Sequence, residues 1–180
     1  MGQTITISGV IGSGKSTVAK MLAQKLGWQY YSTGMAQRKI ADEMCITTLE
    51  LNALSVKDKS IDERIDAVFK NPPWGKSDCV VDSRLAFHFI PKSFKVCLTV
   101  QDEVSGKRIY HDTLRSGEQK YHSIQEAIQS AQKRRALENK HFKKNYGLDI
   151  DNKDNFDLVV DTTHLTSEQV CQVILAALNK

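Results

Sequence analysis

The feature that most constrains this chain is a nine-residue stretch near its amino terminus, Gly9-Val10-Ile11-Gly12-Ser13-Gly14-Lys15-Ser16-Thr17. It matches the phosphate-binding loop pattern G-x-x-x-x-G-K-[ST] in full. Glycines let the backbone come close to a phosphate group, and the amides at the start of a following helix point at the anion. The stretch therefore predicts a site for the phosphates of ATP, formed by residues 9–17.

The sequence on either side of this loop supports the same interpretation. Residues 4–8 alternate β-branched side chains as a short strand does, and residues 18–26 carry apolar side chains on one helical face, with Gly27 placed to end the helix. The alternative, a glycine-rich turn that arose by chance, would not require a strand before it and a helix after it. In this setting Lys15 is expected to reach the β- and γ-phosphates, and the Ser16 hydroxyl to ligate Mg²⁺.

Length and composition fit one globular domain. The chain has 180 residues and 41% hydrophobic side chains, with no apolar run near the roughly 18 residues of a membrane span. We expect no membrane segment and no signal peptide, because the first residues lead directly into a strand. The net charge of +4 comes without a dense basic tract, so small phosphorylated substrates explain it as well as nucleic acid does.

The four cysteines are scattered and lack the spacing of a metal site. They are Cys45, Cys79, Cys97 and Cys171. The last three fall in predicted strands and a predicted helix, so buried free thiols are expected. The expected compartment is a reducing cytoplasm.

Strand and helix patterns alternate along the chain. The predicted strands lie at 4–8, 28–32, 79–82, 94–100 and 156–161, with amphipathic helices between and after them. Two capping boxes, beginning at Ser123 and Thr166, open the last two helices, and Gly147 follows the end of the longer one. The pattern predicts an α/β fold: a five-stranded parallel sheet flanked by helices, with its ligands beyond the carboxyl ends of the strands.

Charged residues follow the ends of the second and third predicted strands. Arg38 follows the second strand, while Asp82 ends the third and Arg84 comes just after it. These positions share a sheet edge with the phosphate loop, so the sequence predicts a site that binds two phosphorylated molecules. We interpret Asp82 as a Walker-B-like carboxylate that holds Mg²⁺ through a water. The alternative is an ordinary aspartate in a turn.

Several further motifs make the chain resemble the cytidylate kinases of the nucleoside monophosphate kinase group, in their short form. The resemblance runs over nearly the whole chain. It rests on the phosphate loop, Ser32-Thr33-Gly34 with Arg38, residues 61–66, Asp82-Ser83-Arg84-Leu85-Ala86, Arg134-Arg135, residues 146–151 and residues 156–163. The loop alone would indicate only an NTPase, and the late Tyr-Gly-Leu-Asp and Phe-Asp-Leu-Val-Val-Asp-Thr-Thr motifs narrow the family.

The resemblance implies a division of the single domain, 1–180. The core would comprise 1–34, 76–105 and 154–180, the small substrate-binding helices about 35–75, a mobile lid about 106–122 and a long helix about 123–145. It also implies site roles. Arg38 and Arg84 would hold the acceptor monophosphate, Arg108 and Arg115 would belong to the lid, Arg134 would clamp the phosphates and Glu138 would lie near the substrate nucleoside. Arginine suits these roles because its planar fork binds phosphate oxygens bidentately. The alternative for each is an exposed surface arginine.

Three positions depart from the family pattern. Ser32 stands where many relatives have an aspartate, Glu138 is longer than the usual aspartate, and His141 stands where a second arginine of the late helix is expected. His141 shares a helical face with Arg134 and Glu138, so it either binds substrate in its protonated form or packs near the helix end.

The expected activity is transfer of the ATP γ-phosphoryl to CMP or dCMP, with Mg²⁺ as the metal. We expect no nucleic acid, membrane or obligate protein partner. The alternatives are a kinase for another nucleotide or small acceptor, and a nucleotide-binding protein that has lost turnover.

Overall fold

A parallel sheet runs through the centre of the molecule. The computed structural model describes residues 2–46, 48–55, 58–112 and 121–178. Its strands are β1 (Thr4–Gly9), β2 (Gln29–Ser32), β3 (Cys79–Asp82), β4 (Phe94–Thr99) and β5 (Leu158–Asp161). They pair in the order β2-β3-β1-β4-β5, all parallel. The predicted fold class is therefore confirmed.

Helices connect the strands and cover both faces of the sheet. They are α1 (Lys15–Leu26), α2 (Thr33–Glu43), α3 (Thr48–Ser55), α4 (Lys59–Lys70), α5 (Ala86–Phe89), α6 (Asp102–His111), α7 (Ile124–Tyr146) and α8 (Ser167–Leu178). Across the described residues, none of these helices is long and apolar enough to cross a membrane.

The alternation of side chains along the strands builds two apolar layers. Ile5, Ile7 and Val80 point to one face, where they form a core with buried residues of α1 and α8. The neighbours of Val80 in β3, Cys79 and Val81, belong to a separate cluster on the other face. All four residues of β3 are buried, as expected of a parallel strand covered on both sides.

The strand order places β1 where the chain changes direction across the sheet. From β1 the chain first builds β2 and β3 on one side, then β4 and β5 on the other. The register aligns the strand ends: Ser32 pairs with Asp82, Asp82 with Ile7, and Gly9 with Leu98. Ligands bind at such a reversal, beyond the carboxyl ends of the strands.

Most predicted boundaries are confirmed within a few residues. The Thr166 capping box is present, with Gln169 N 3.2 Å from Thr166 Oγ1 and Thr166 N 2.8 Å from Gln169 Oε1. Ser123 accepts from Glu126 N at 3.1 Å, but the Glu126 carboxylate accepts from His122 N and so reaches one residue further back. This difference leaves the helix start unchanged.

Two details of local structure were not predicted. The last strand begins at Leu158 because Asp157 bonds Lys95 with both its backbone and its carboxylate. The short helix α5 was not predicted, since four residues carry too little periodicity to be recognised.

The cysteine prediction is confirmed for three residues. Cys79, Cys97 and Cys171 are free and buried, whereas Cys45 is free and exposed. Burial raises the pKa of the Cys79 thiol to about 12, and it also raises the pKa of the Cys97 and Cys171 thiols. Protonated thiols in apolar surroundings serve as small core side chains.

Two glycine-to-alanine substitutions should change stability in opposite directions. Gly147 ends α7 with a φ of 68°, and no neighbour lies within 4 Å of an added Cβ. Gly147→Ala should therefore lower the free energy of unfolding by about 1 kcal/mol through backbone conformation alone. Gly34 lies in the first turn of α2, so Gly34→Ala should raise it by up to about 1 kcal/mol. Urea unfolding of both variants tests this, and a loss of equal size in both would contradict it.

Candidate active site

The phosphate loop joins β1 to α1 and has the backbone that its sequence requires. Gly9, Gly12 and Gly14 have φ values of 135°, 77° and 86°. A side chain at Gly9 would also collide with the backbone of Leu98 in the adjacent strand. The Lys15 ammonium group lies 2.6 Å from the Val10 carbonyl oxygen, folded over the loop that it belongs to. The loop is thus preformed, with amides at the start of α1 facing outward.

A junction of buried polar groups holds this loop from behind. The Thr162 side chain is 2% exposed, and its hydroxyl lies 3.1 Å from the Ser13 carbonyl and 3.0 Å from the Thr99 carbonyl. Ser105 donates to the Ile11 carbonyl at 2.8 Å. The loop carbonyls therefore point into the protein and are satisfied there, which leaves the amides for an anion.

Arg108 belongs to this junction. Residues 106–111 continue α6, and the place of Arg108 in a lid beginning near residue 106 stays a prediction. Its guanidinium donates to the carbonyls of Gly12 at 3.3 Å and Thr162 at 2.8 Å, and to the Thr162 hydroxyl at 3.1 Å. Arg108 therefore braces the loop in this structure. Arg115, the other expected lid arginine, lies outside the described residues.

A cavity of about 360 Å³ opens beside the loop. Its walls come from the phosphate loop, Arg108, Asp112, the segment before α8 with Thr162 and Leu165, and the start of α8. It lies against Gly12, Ser13 and Gly14, at the end of the phosphate loop away from β3. A flat base attached to the bound phosphates would fit between the guanidinium and the apolar side chains of this cavity.

The predicted metal residues meet at the end of β3. Asp82 is 6% exposed, and its Oδ2 accepts from the Ser16 hydroxyl at 2.6 Å and from the Tyr30 hydroxyl at 3.3 Å. No group of three or more His, Cys, Asp and Glu side chains suited to a metal occurs among the residues described. These oxygen groups fit Mg²⁺, which usually binds through one or two carboxylates together with substrate phosphates.

Tyr30 was not predicted as a site residue. It lies two positions before Ser32 in β2, so both side chains point to the same face of the sheet, beside Asp82. Burial and the Asp82 charge raise the pKa of the Tyr30 hydroxyl to about 12, so it remains a hydrogen-bond donor. The alternation of side chains along β2, together with the pairing of β2 with β3, was the signal that could have identified Tyr30.

Three of the predicted acceptor residues come together on the other side of the loop. Glu138 of α7 contacts the Arg84 guanidinium and accepts from Arg134 Nε at 3.0 Å. The Arg84 carbonyl accepts from Ser8 at 3.2 Å, which ties this group to the end of β1. Two arginines and a carboxylate therefore lie beside the phosphate loop at one sheet edge.

The remaining two predicted acceptor residues have other surroundings. Arg38 is exposed on α2, and within the described part of the chain it forms no hydrogen bond or ion pair. His141 Nε2 lies 2.8 Å from Asp62 Oδ2 of α4. Their assignment to substrate stays a prediction.

The Tyr-Gly-Leu-Asp motif returns the chain against α7. Asn139 of α7 bonds Asp149 at 3.1 Å and Asp151 at 3.2 Å, and it accepts from Ile150 N at 3.1 Å. Arg135 pairs with Asp151 at 2.7 Å. These contacts fix the half of α7 that carries Glu138, which gives the Tyr-Gly-Leu-Asp motif a structural role.

Removing the Thr162 hydroxyl should loosen the loop support. Thr162→Val keeps the shape but leaves Arg108 and the Ser13 carbonyl short of a partner, at a cost of about 1–3 kcal/mol in unfolding free energy. Thr99→Val is the matched control, since its hydroxyl makes one long bond of 3.5 Å to Val160 and should cost under about 0.5 kcal/mol. Chemical denaturation measures both, and equal losses would contradict the junction.

Comparison with known proteins agrees with this geometry. The Cytidylate kinase-like family matches residues 4–164. The cytidylate kinase of Ignicoccus hospitalis is 36% identical over 94% of this chain and 95% of its own length. An S-adenosylmethionine-dependent nucleotide dehydratase of Lacinutrix mariniflava is also 36% identical over 97% of this chain. This chain spans only 36% of that relative's length.

Solved structures share the fold at lower sequence similarity. A shikimate kinase from Acinetobacter baumannii superimposes with a TM-score of 0.61 at 17% identity, covering 99% of this chain and 93% of its own. A gluconokinase from Sinorhizobium meliloti gives a TM-score of 0.57 at 14% identity, covering 99% and 91%. At these identities the likeness concerns the fold alone. The family match over residues 4–164 and the 36% identity to the Ignicoccus hospitalis enzyme show that this chain belongs to the cytidylate kinase-like family.

Proposed function

We propose that the protein transfers the γ-phosphoryl group of ATP to CMP or dCMP. The observation that carries this proposal is the position of Arg84, Arg134 and Glu138 beside a preformed phosphate loop, at the same sheet edge. The direct transfer of a group between two phosphorylated molecules requires two anion-binding groups that face one another. Phosphoryl transfer needs alignment and neutralised charge more than covalent assistance.

On the donor side, residues 9–17 would hold the ATP phosphates, with Lys15 moving from the Val10 carbonyl to the β- and γ-phosphates. The cavity beside Arg108 would take the adenine. Ser16 would ligate Mg²⁺ directly, and Asp82 would hold it through a water. The metal would neutralise charge on the transferred group.

On the acceptor side, Arg84 and Arg134 would bind the monophosphate and Arg38 would close over it from α2. Glu138 already pairs with both of the first two arginines, so it would orient them and lie beside the nucleoside. Arg115 would complete the charge from the lid. His141 would lie at the acceptor base instead of its phosphate, because it is held beside Asp62.

The dehydratase relative supports a nucleotide acceptor but leaves its base open. A region of that relative resembles this chain almost from end to end, and the name of that enzyme refers to a nucleotide without saying which one. A kinase for another nucleotide is therefore the second candidate. We further propose that the enzyme acts in a reducing cytoplasm without nucleic acid or an obligate protein partner, in line with its buried free thiols.

ADP release measured across a panel of nucleoside monophosphates tests the proposal. We expect Mg²⁺-dependent release that CMP or dCMP stimulates most. A stronger response to another monophosphate would favour the second candidate. Tight ATP binding without any acceptor-stimulated release would instead indicate a binding protein that has lost turnover.

Lys15→Ala should lower turnover at least about a hundredfold. A cation aimed at charge that develops in the transition state contributes on the order of 3 kcal/mol. Lys25→Ala is the matched control on the same helix, because Lys25 is paired with Glu168 at 2.8 Å on the surface, in the last turn of α1. Steady-state kinetics on folded protein should separate the two, and near-normal activity of Lys15→Ala would contradict the donor site.

Arg38→Ala should weaken use of CMP while leaving ATP affinity within a few-fold. Loss of a charge-assisted contact to phosphate corresponds to roughly 1.5–3 kcal/mol in acceptor binding. Arg64→Ala is the control for loosened helices, since Arg64 pairs with Glu43 at 2.9 Å and links α4 to α2 on the surface. Equal damage to CMP and ATP, or an equal effect of Arg64→Ala on CMP, would contradict the assignment of Arg38.

A further inference from the structure

Three polar side chains meet between α4 and α7, one to two turns beyond Glu138. Asp62 Oδ2 of α4 lies 2.8 Å from His141 Nε2 and accepts from Asn145 Nδ2 at 3.0 Å. Asn145 and His141 are themselves 3.3 Å apart. The Asp62 and His141 side chains are 15% and 11% exposed, so the group is largely withdrawn from water. We infer that this group, the Asp62 triad, recognises the base of the acceptor nucleotide.

The position of the triad along α7 agrees with this role. An α-helix rises 1.5 Å per residue, so His141 lies about 10 Å along the axis from Arg134 and about 4.5 Å from Glu138. Positions 134, 138, 141 and 145 share one face of the helix. With the phosphate at Arg84 and Arg134 and the nucleoside at Glu138, the base extends along this face toward Asp62. This step rests on the proposed acceptor site.

The chemistry of the triad favours cytosine over uracil. Cytosine presents an amino donor where uracil presents a carbonyl acceptor, and carboxylates accept from that amino group. The two contacts that Asp62 makes within the triad both end on its Oδ2, and its Oδ1 accepts no hydrogen bond from the described residues. Oδ1 would accept from the cytosine amino group, whereas a uracil carbonyl would face a carboxylate oxygen with no hydrogen between them. Leaving such buried groups unpaired is what rejects the wrong base.

A second bond between the same helices provides a structural comparison. The Tyr146 hydroxyl donates to Asp66 Oδ2 at 2.6 Å, one turn beyond the triad on α4. Burial raises the pKa of the Asp66 carboxyl, and Tyr146 packs against Phe89 and Phe142. This bond joins α4 to α7 among aromatic rings. A variant without this bond loses a contact between α4 and α7 but keeps the Asp62 triad, so it serves as the control.

The test compares Asp62→Asn with Tyr146→Phe. The measured quantity is kcat/KM for CMP divided by kcat/KM for UMP, supported by calorimetric dissociation constants for the two monophosphates. In Asp62→Asn an amide replaces the carboxylate and can both donate and accept, so the ratio should fall at least tenfold, mainly through CMP. Tyr146→Phe should change both acceptors by the same factor and leave the ratio unaltered.

The outcomes separate this inference from the proposed function. The inference would be overturned, with CMP kinase activity intact, if folded Asp62→Asn kept the CMP-to-UMP ratio of kcat/KM. It would also be overturned if Tyr146→Phe changed this ratio as much as Asp62→Asn does. If the unsubstituted protein turns over no monophosphate, the proposed function fails and the dissociation constants alone decide the inference. If it prefers UMP, or binds neither monophosphate, both the proposed function and the inference are overturned.

Discussion

The contact on which the candidate site depends is the hydrogen bond of 2.6 Å between the Ser16 hydroxyl and the buried carboxylate of Asp82. It joins the start of α1 to the end of β3, across the sheet edge where the two elements meet. Asp82 is two residues before Arg84, so the same bond limits the distance between the phosphate loop and Arg84. A buried carboxylate needs such partners, because its charge is costly without them. The start of α1 and the chain that leads to Arg84 are therefore positioned by this one hydrogen bond.

The long helix α7 contributes the second constraint. It carries Arg134 and Glu138 toward the sheet edge and His141, Asn145 and Tyr146 toward α4. Its outer side is held by the chain at 147–151, which turns back at Gly147 and bonds Asn139. The helix is thus held by the chain at 147–151 on one side and by α4 on another. Any closure of α2–α4 over an acceptor has to break or follow the bonds that Asp62 and Asp66 make to α7.

The sequence predicted the strand, phosphate loop and helix at residues 4–26 well because their contacts are local. Loop, strand and helix are consecutive, and the glycines at positions 9, 12 and 14 fix the backbone that the phosphates require. The parallel sheet followed from the alternation of elements, and the meeting of Ser16 with Asp82 followed from the rule that ligands lie at the carboxyl edge.

The parts that escaped prediction depend on contacts between distant residues. The contacts of the Arg108 guanidinium with Gly12 and Thr162 were not predicted. Thr162 lies 149 positions from its partner Ser13, and no periodicity in the sequence reports such a pair. Asp62 and His141 are likewise 79 positions apart. Side-chain pairing of this kind follows from tertiary packing, which a single sequence does not encode in a readable pattern.

We propose that the γ-phosphoryl group passes directly from ATP to a cytidine monophosphate. This transfer can be tested by following ATP labelled at its γ-phosphorus, with CMP in excess and Mg²⁺ supplied. We expect the label to appear in CDP, in proportion to the ADP formed, with little in inorganic phosphate. Label that appears in inorganic phosphate, or that stays in ATP whatever the acceptor, would contradict it.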